Sequence, residues 1–161
     1  MKKYKIEIKW AFIFMVMMLL WMVFERAVGL HDEHIDKHPI YTNFVAILAI
    51  AVYVLALLDK RKSFYNGVMT YKQGFVSGLI ISLIVTVFSP LTQYITSKII
   101  SPDYFNNVIE YSVSNNLMTL EAAQAYFNLK SYIIQVLIAT PIMGIVTSAI
   151  VAIFTKKKAG S

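Results

Sequence analysis

Four long apolar stretches dominate the pattern of hydrophobic and polar positions along the chain. A bilayer core of about 30 Å needs about 20 mostly apolar residues in a helix. None of the stretches alternates strictly, and each is longer than a barrel strand. Because backbone groups in lipid must be paired within the segment, the pattern predicts four transmembrane helices. Their expected positions are about 10–28, 40–58, 75–94 and 131–154.

The composition supports this membrane class. Hydrophobic residues make up 58% of the 161 residues and charged residues 15%, whereas soluble domains have about 45–50% and about 25%. The absence of cysteine excludes disulfides, thiolate metal sites and cysteine nucleophiles. We therefore expect an all-α integral membrane protein with a single four-helix domain over residues 1–158. Residues 159–161 are interpreted as an expression scar.

Lysine and arginine are distributed unevenly around the predicted spans. Eleven of the fifteen precede the first span, lie between the second and third, or follow the fourth. By the positive-inside rule, both termini are expected in the cytoplasm. Basic clusters beside anionic lipid headgroups also account for the net charge of +6. The lipid bilayer, and no nucleic acid, is the partner that this charge pattern predicts.

The longest polar connection, about residues 93–130, is predicted to carry two short amphipathic helices on the outer side. Ser101-Pro102-Asp103 is typical of a helix start, and Ser114-Asn115-Asn116 of a helix end. Thr119 can cap a second helix, which we expect to run on into the fourth span. A structural lid is the favoured role for this segment, and ligand binding is the alternative.

Small residues recur every four positions in the third and fourth spans. Lipid gives no hydrophobic drive for helix association, so small faces matter because they let two backbones approach. We expect the two spans to pack along these faces, with a substrate path or a homodimer seam as the alternatives. The residues are Gly74, Gly78, Ser82 and Thr86 in the third span and Thr140, Gly144, Ser148 and Ala152 in the fourth.

The segment from Glu25 to His38 contains all three histidines of the chain. Glu25 lies about 24 Å along the helix from Lys9, inside a core of about 30 Å, and therefore needs a partner on another helix or water. If the helix continues past Gly29, one face carries carboxylates and a roughly opposite face carries imidazoles. The carboxylates are Glu25, Asp32 and Asp36, and the imidazoles are His31, His34 and His38.

Histidines spaced i, i+3 and i+7 with a nearby carboxylate can bind one zinc-like ion. The candidate metal ligands are His31, His34, His38 and Asp32, and the candidate polar site is Glu25, Arg26 and His31. The alternatives are a solvated turn whose histidines bind nothing, or a pH-sensitive patch. The sequence has no zincin motif, phosphate loop or serine elbow, so no catalytic residue is predicted, and zinc is the single cofactor considered.

Three stretches of the sequence carry a resemblance to a known family. The stretches are Glu25-Arg26-Ala27-Val28-Gly29-Leu30-His31, His38 with Thr42 and Asn43, and Met69-Thr70-Tyr71-Lys72-Gln73-Gly74-Phe75 with Gly78. They are similar to a group of small bacterial integral membrane proteins, common in Bacteroidetes and called domain of unknown function four-one-nine-nine. The resemblance extends over about 5–154 and implies a four-helix protein of the bacterial inner membrane. It supplies no activity and draws attention to Glu25, Arg26, His31 and residues 72–74.

Three functions are compatible with these features. The first is a non-enzymatic structural or accessory subunit, for example of an envelope or glycan-assembly system, with a membrane protein partner or a second copy of the chain. The second is a metal-binding membrane protein that uses the Glu/His segment. The third is a small-solute or proton-coupled transporter with Glu25 as its ionisable group. The sequence favours the first, because it shows packing seams and no catalytic motif.

Overall fold

The computed structural model describes residues 4–158, and within that range it is helical apart from turns and one isolated bridge. Residues 159–161, interpreted above as a scar, lie outside the described residues. The long helices are α1 (Lys5–Ala27), α3 (Val45–Ser63), α4 (Tyr71–Ile95) and α7 (Leu129–Thr155). The short ones are α2 (His38–Tyr41), α5 (Tyr104–Ser114) and α6 (Leu120–Tyr126). A 3₁₀ turn (Thr42–Phe44) joins α2 to α3, and a π-helical turn (Thr96–Ile100) follows α4.

The predicted all-α fold with four apolar helices is confirmed. Four helical segments are long and apolar enough to cross a membrane, and they lie at Lys5–Ala27, His38–Ser63, Tyr71–Ile100 and Leu129–Thr155. Each contains most of the span expected from the sequence. The first begins earlier than expected because Glu7 and Lys9 belong to the same helix as the apolar run. Large apolar side chains remain exposed on the outward faces, as lipid contact requires.

The four long helices form a bundle in which α4 and α7 make the most extensive contact. Six of the eight small residues named above, all except Thr86 and Thr140, are buried at this contact. A Cβ built on Gly78 would come within 2.7 Å of the Ser148 Cβ, and one on Gly144 would collide with Ser82. At Gly74 it would lie 3.4 Å from the Ala152 Cβ. The two faces therefore meet each other within one chain, which leaves these residues covered on both helices.

One end of the bundle, here called the basic end, brings together the start of α1, the end of α3, the start of α4 and the end of α7. A capping box starts α4. The backbone N–H of Gln73 donates to the Thr70 hydroxyl, and the backbone N–H of Thr70 donates to the side-chain oxygen of Gln73. Met69 and Lys157 exchange two backbone hydrogen bonds of 3.0 and 2.8 Å. The motif around 69–75 thus has a structural explanation, because it begins α4 and joins it to the end of α7.

The opposite end, here called the histidine end, is covered by residues 28–37, α5 and α6. Thr119 starts α6 by accepting a hydrogen bond from the Ala122 amide. The expected continuation of this helix into the fourth span was wrong. The helix ends at Tyr126, and Asn128 starts α7 anew by accepting a hydrogen bond from the Ser131 amide at 2.9 Å. The extended backbone of Asn128 separates the two helices.

Candidate functional site: a buried carboxylate with two imidazoles

Glu25 lies in the last two turns of α1 and is completely buried. Its Oε1 atom accepts a hydrogen bond from the Trp21 indole N–H at 2.6 Å. Trp21 precedes Glu25 by one helical turn, so the two side chains lie on the same face of α1. This bond fixes the carboxylate and leaves its second oxygen, Oε2, facing the end of the bundle.

Two imidazoles converge on that second oxygen. The Nε2 atom of His31 lies 3.2 Å from Glu25 Oε2, and the Nε2 atom of His38 lies 3.5 Å from it. His31 is 5% exposed, and the His38 side chain is 19% exposed. We call Glu25, His31 and His38 the Glu–His cluster; their ligand atoms all lie within 4.8 Å of one another.

Each imidazole is also engaged at its other nitrogen. His31 Nδ1 lies 2.5 Å from the Ser101 hydroxyl, and His38 Nδ1 lies 3.5 Å from the Tyr104 hydroxyl. The Tyr104 ring packs against both imidazoles, with centroids 5.1 and 5.3 Å away. Burial raises the pKa of the Tyr104 phenol above its usual range, so this hydroxyl stays protonated. Both rings are therefore oriented with Nε2 toward the carboxylate.

The backbone between α1 and α2 explains how the cluster forms. Gly29 adopts a φ of +78°, a conformation that favours glycine, and α1 ends at Ala27. The following residues form consecutive turns, in which the Leu30 amide donates to the Glu25 carbonyl at 2.9 Å. Leu30 and Ile35 are buried and anchor the segment. The chain thus folds back over the end of α1 and places His31 above Glu25.

Helix α5 and the residues just before it, which are distant from α1 in the sequence, cover the cluster. Asn107 donates a hydrogen bond of 2.9 Å to the His31 carbonyl. Ser101 is buried immediately before this helix, and Tyr104 is its first residue. The predicted lid therefore contributes the side chains that hold both imidazoles.

The structure does not bring two of the four predicted metal ligands into the cluster. His34 and Asp32 are exposed, and so is Asp36. The predicted arrangement assumed a helix continuing past Gly29, and the turns that replace it remove the helical periodicity. Glu25, expected opposite the histidines, instead lies beside two of them.

Arg26 also lies apart from the cluster. Its guanidinium donates to the Ile100 carbonyl at the end of the π-helical turn. A cation at the C-terminal end of a helical segment is favourable. Arg26 therefore joins α1 to the segment after α4 and does not neutralise Glu25.

Trp21, Ser101, Tyr104 and Asn107 were not predicted as site residues. The spacing of Trp21 from Glu25 was a usable signal, because residues four apart share a helix face. Ser101 and Tyr104 approach His31 and His38 over 70 and 66 residues of sequence. No local pattern indicates such a contact.

The histidines and carboxylate have the chemistry of a divalent metal site. Two ligands of a tetrahedral zinc ion lie about 3.3 Å apart, given Zn–N and Zn–O distances of about 2.0–2.2 Å. The separations of Glu25 Oε2 from the two Nε2 atoms, 3.2 and 3.5 Å, lie on either side of that value. Two imidazoles and one carboxylate also form a ligand set that leaves a fourth position open.

A second buried carboxylate, Glu7, lies near the other end of α1. Lys60 Nζ is 2.8 Å from its Oε1 and 3.0 Å from its Oε2. The Ser77 hydroxyl donates to Oε1 at 2.7 Å. Glu7, Lys60 and Ser77 are each at most 2% exposed, and they connect α1, α3 and α4.

Fold and site together define a four-helix protein of membrane type with a buried carboxylate–imidazole cluster at one end of its bundle. The chain belongs to the family described as "Protein of unknown function (DUF4199)", whose sequence model matches residues 9–157. Comparisons with curated proteins and with solved structures find no match.

Proposed function

We propose that this chain is an integral membrane protein that binds one divalent metal ion of the zinc class through Glu25, His31 and His38. The observation that carries the proposal is the convergence of two imidazole Nε2 atoms on one buried carboxylate oxygen, at 3.2 and 3.5 Å. Neutral imidazole and carboxylate are ligands that zinc prefers.

The charge of the cluster supports a bound cation. Glu25 is completely buried, its partners are two imidazoles and the Trp21 indole, and the Thr42 side chain lies close by. None of these is a permanent cation. A buried carboxylate without a compensating charge is costly, so a metal ion shared with the imidazoles stabilises the site.

The partners of the ligands support the same function. Histidines that bind a metal usually hold their other ring nitrogen in a hydrogen bond, which fixes the tautomer and the ring orientation. Ser101 and Tyr104 are placed at the Nδ1 atoms of His31 and His38. Trp21 holds the remaining carboxylate oxygen.

The distribution of charge supports a location in the bacterial inner membrane with the basic end in the cytoplasm. Lys60, Arg61, Lys156 and Lys157 all lie at that end. The metal site then faces the periplasmic side. We place metal binding above the accessory-subunit function favoured by the sequence, because the cluster supplies a specific chemistry that a packing role does not need.

Metal analysis of the purified protein tests the proposal. The protein is produced with an affinity tag free of histidine, stripped with a chelator in detergent micelles, and titrated with Zn²⁺. We expect one tightly bound zinc per chain in the wild type. His31→Ala and His38→Ala should lose it, and the matched control His34→Ala should retain it, because His34 is exposed and outside the cluster.

Two results would contradict metal binding. One is wild-type protein that binds no more zinc than the double variant H31A/H38A. The other is a loss of zinc in His34→Ala equal to the loss in His31→Ala, which would indicate non-specific binding by surface histidines.

A further inference from the structure

A cavity of about 480 Å³ lies inside the bundle between the basic end and the Glu–His cluster. All four long helices contribute to its wall, and none of the lining residues is charged. Its volume lies within the range of about 300–1,000 Å³ that is typical of ligand sites. The α1 wall is formed by long flexible side chains, including Met15, Met18 and Met22. Such methionines adapt to an apolar ligand of variable shape.

The cavity opens sideways, between α3 and α7. The exposed residues in its wall are Ala46 and Ile50 of α3, Ala139 and Met143 of α7, and Asn43 just before α3. The wall residues from α1 and α4 are buried or half-buried. In a chain that spans the bilayer, a lateral mouth at this position meets lipid chains and not water.

The polar lining is concentrated toward the histidine end. Thr42, Asn43, Gln93 and Thr96 line the cavity close to where α1 ends. The Thr42 side chain also lies close to the Glu25 carboxylate, so one side chain borders both the cavity and the Glu–His cluster. Most hydrogen-bonding groups of the lining therefore lie beside the cluster. Deeper in the bundle the lining is mainly apolar, with Met15 and Met18, and it also includes the side chains of Tyr53, Thr140 and Thr147.

We propose that this cavity binds the hydrocarbon chain of a bilayer lipid, which enters between α3 and α7 with its polar head toward the Glu–His cluster. An apolar lining, a mouth facing lipid and a polar end match an amphiphile of the surrounding membrane. The inference rests on the membrane location in the proposed function and is independent of the metal.

Photocrosslinking in the wild-type protein tests where the chain lies. The protein is reconstituted into phosphatidylglycerol vesicles that contain a phosphatidylglycerol with a diazirine on one acyl chain. After illumination, adducts are mapped by mass spectrometry. We expect adducts on Met15, Met18 or Met22 in addition to those on outward-facing residues such as Ile47. Adducts confined to outward-facing residues would overturn the proposal.

A variant with a larger side chain in the cavity wall provides the second test. Ala49 of α3 lines the cavity, whereas Ala51 of the same helix is exposed and does not. In native mass spectrometry with phosphatidylglycerol, affinity for the first bound lipid should fall by about tenfold in Ala49→Phe, which corresponds to about 1.4 kcal/mol. Ala51→Phe should bind like the wild type. Equal lipid binding by both variants would contradict the proposal.

The same variants separate this inference from metal binding. Ala49→Phe should bind lipid more weakly and keep its zinc, whereas His31→Ala should lose zinc and keep its lipid affinity. Wild-type protein that binds zinc but gives no internal adducts would overturn the lipid site alone. Internal adducts in a protein without zinc would overturn the metal site alone.

Discussion

Helix α1 carries two buried carboxylates, and their partners differ in charge. Glu7 is paired with the permanent cation of Lys60 and with the Ser77 hydroxyl, at distances between 2.7 and 3.0 Å. Glu25 faces two imidazoles, an indole and a hydroxyl, none of which is permanently charged. The first group is complete within the protein. The second has the donors of a cation site and no fixed cation.

This difference assigns different roles to the two ends of the bundle. A buried pair of fixed opposite charges holds three helices together, and breaking it is costly because one charge is left uncompensated. A carboxylate with imidazoles can instead exchange its cation with the surroundings. We therefore interpret the Glu7–Lys60 pair as structural and the Glu–His cluster as functional.

The largest expected effect on stability comes from breaking the Glu7–Lys60 pair. Lys60→Met should lower the free energy of unfolding by about 3–5 kcal/mol, because it leaves Glu7 buried and unpaired. Thermal or denaturant unfolding in detergent micelles measures this change. The exposed neighbour Lys62 provides the control Lys62→Met, and the double variant E7Q/K60M should recover much of the loss. A K60M protein as stable as K62M would contradict the structural role of the pair.

Zinc should stabilise the protein only through Glu25, and not through Glu7. At a free zinc concentration of 100 times Kd, ligand binding adds about 2.7 kcal/mol to the free energy of unfolding. The zinc-dependent rise in Tm should be present in the wild type and absent in Glu25→Gln. Lys62→Met, which leaves both carboxylates intact, should show the wild-type rise. An equal zinc-dependent rise in Tm in Glu25→Gln and in the wild type would show that the metal binds elsewhere.

The Ser101 hydroxyl, which lies at Nδ1 of His31, should strengthen metal binding. Ser101→Ala removes the partner of Nδ1, and loss of such a partner typically weakens metal affinity by about 10- to 100-fold. Isothermal titration with Zn²⁺ measures this, and Ser114→Ala, at an exposed serine of α5, is the control. Unchanged affinity in Ser101→Ala would show that this hydroxyl does not orient the ligand.

The smallest effect is expected at Arg26. Its side chain bonds the Ile100 carbonyl, so Arg26→Gln should cost about 1 kcal/mol or less of stability. Its zinc affinity should equal that of the wild type. A marked change in zinc affinity would show that Arg26 acts on the cluster, as its place in the sequence motif suggested.

The sequence predicted the helices better than it predicted the site, for a physical reason. Spans depend on the local length of apolar runs, so all four were found. The grouping of His31, His34 and His38 assumed helical periodicity through Gly29, and the turn at that glycine breaks the periodicity. Glu7 was not singled out, because the first span was expected to begin at about residue 10, although Glu7 lies inside α1 and is buried.

The contacts across the bundle were beyond local patterns. Lys60 meets Glu7 over 53 residues, and Ser101 meets His31 over 70. Such pairs are fixed by how the helices assemble. The residue types indicated which chemistry was possible. Which residues contact one another depends on the assembled fold.

The turn at Gly29 has a consequence for the order of assembly. It places every ligand of the Glu–His cluster between residues 25 and 38, on the connection between the first two membrane helices. Ser101 and Tyr104 are synthesised more than sixty residues later. In the proposed function, the first helical hairpin therefore contains all three metal ligands as it enters the bilayer. The second half of the protein supplies Ser101 and Tyr104 only afterwards, so the residues that bind the metal are made before the residues that orient them.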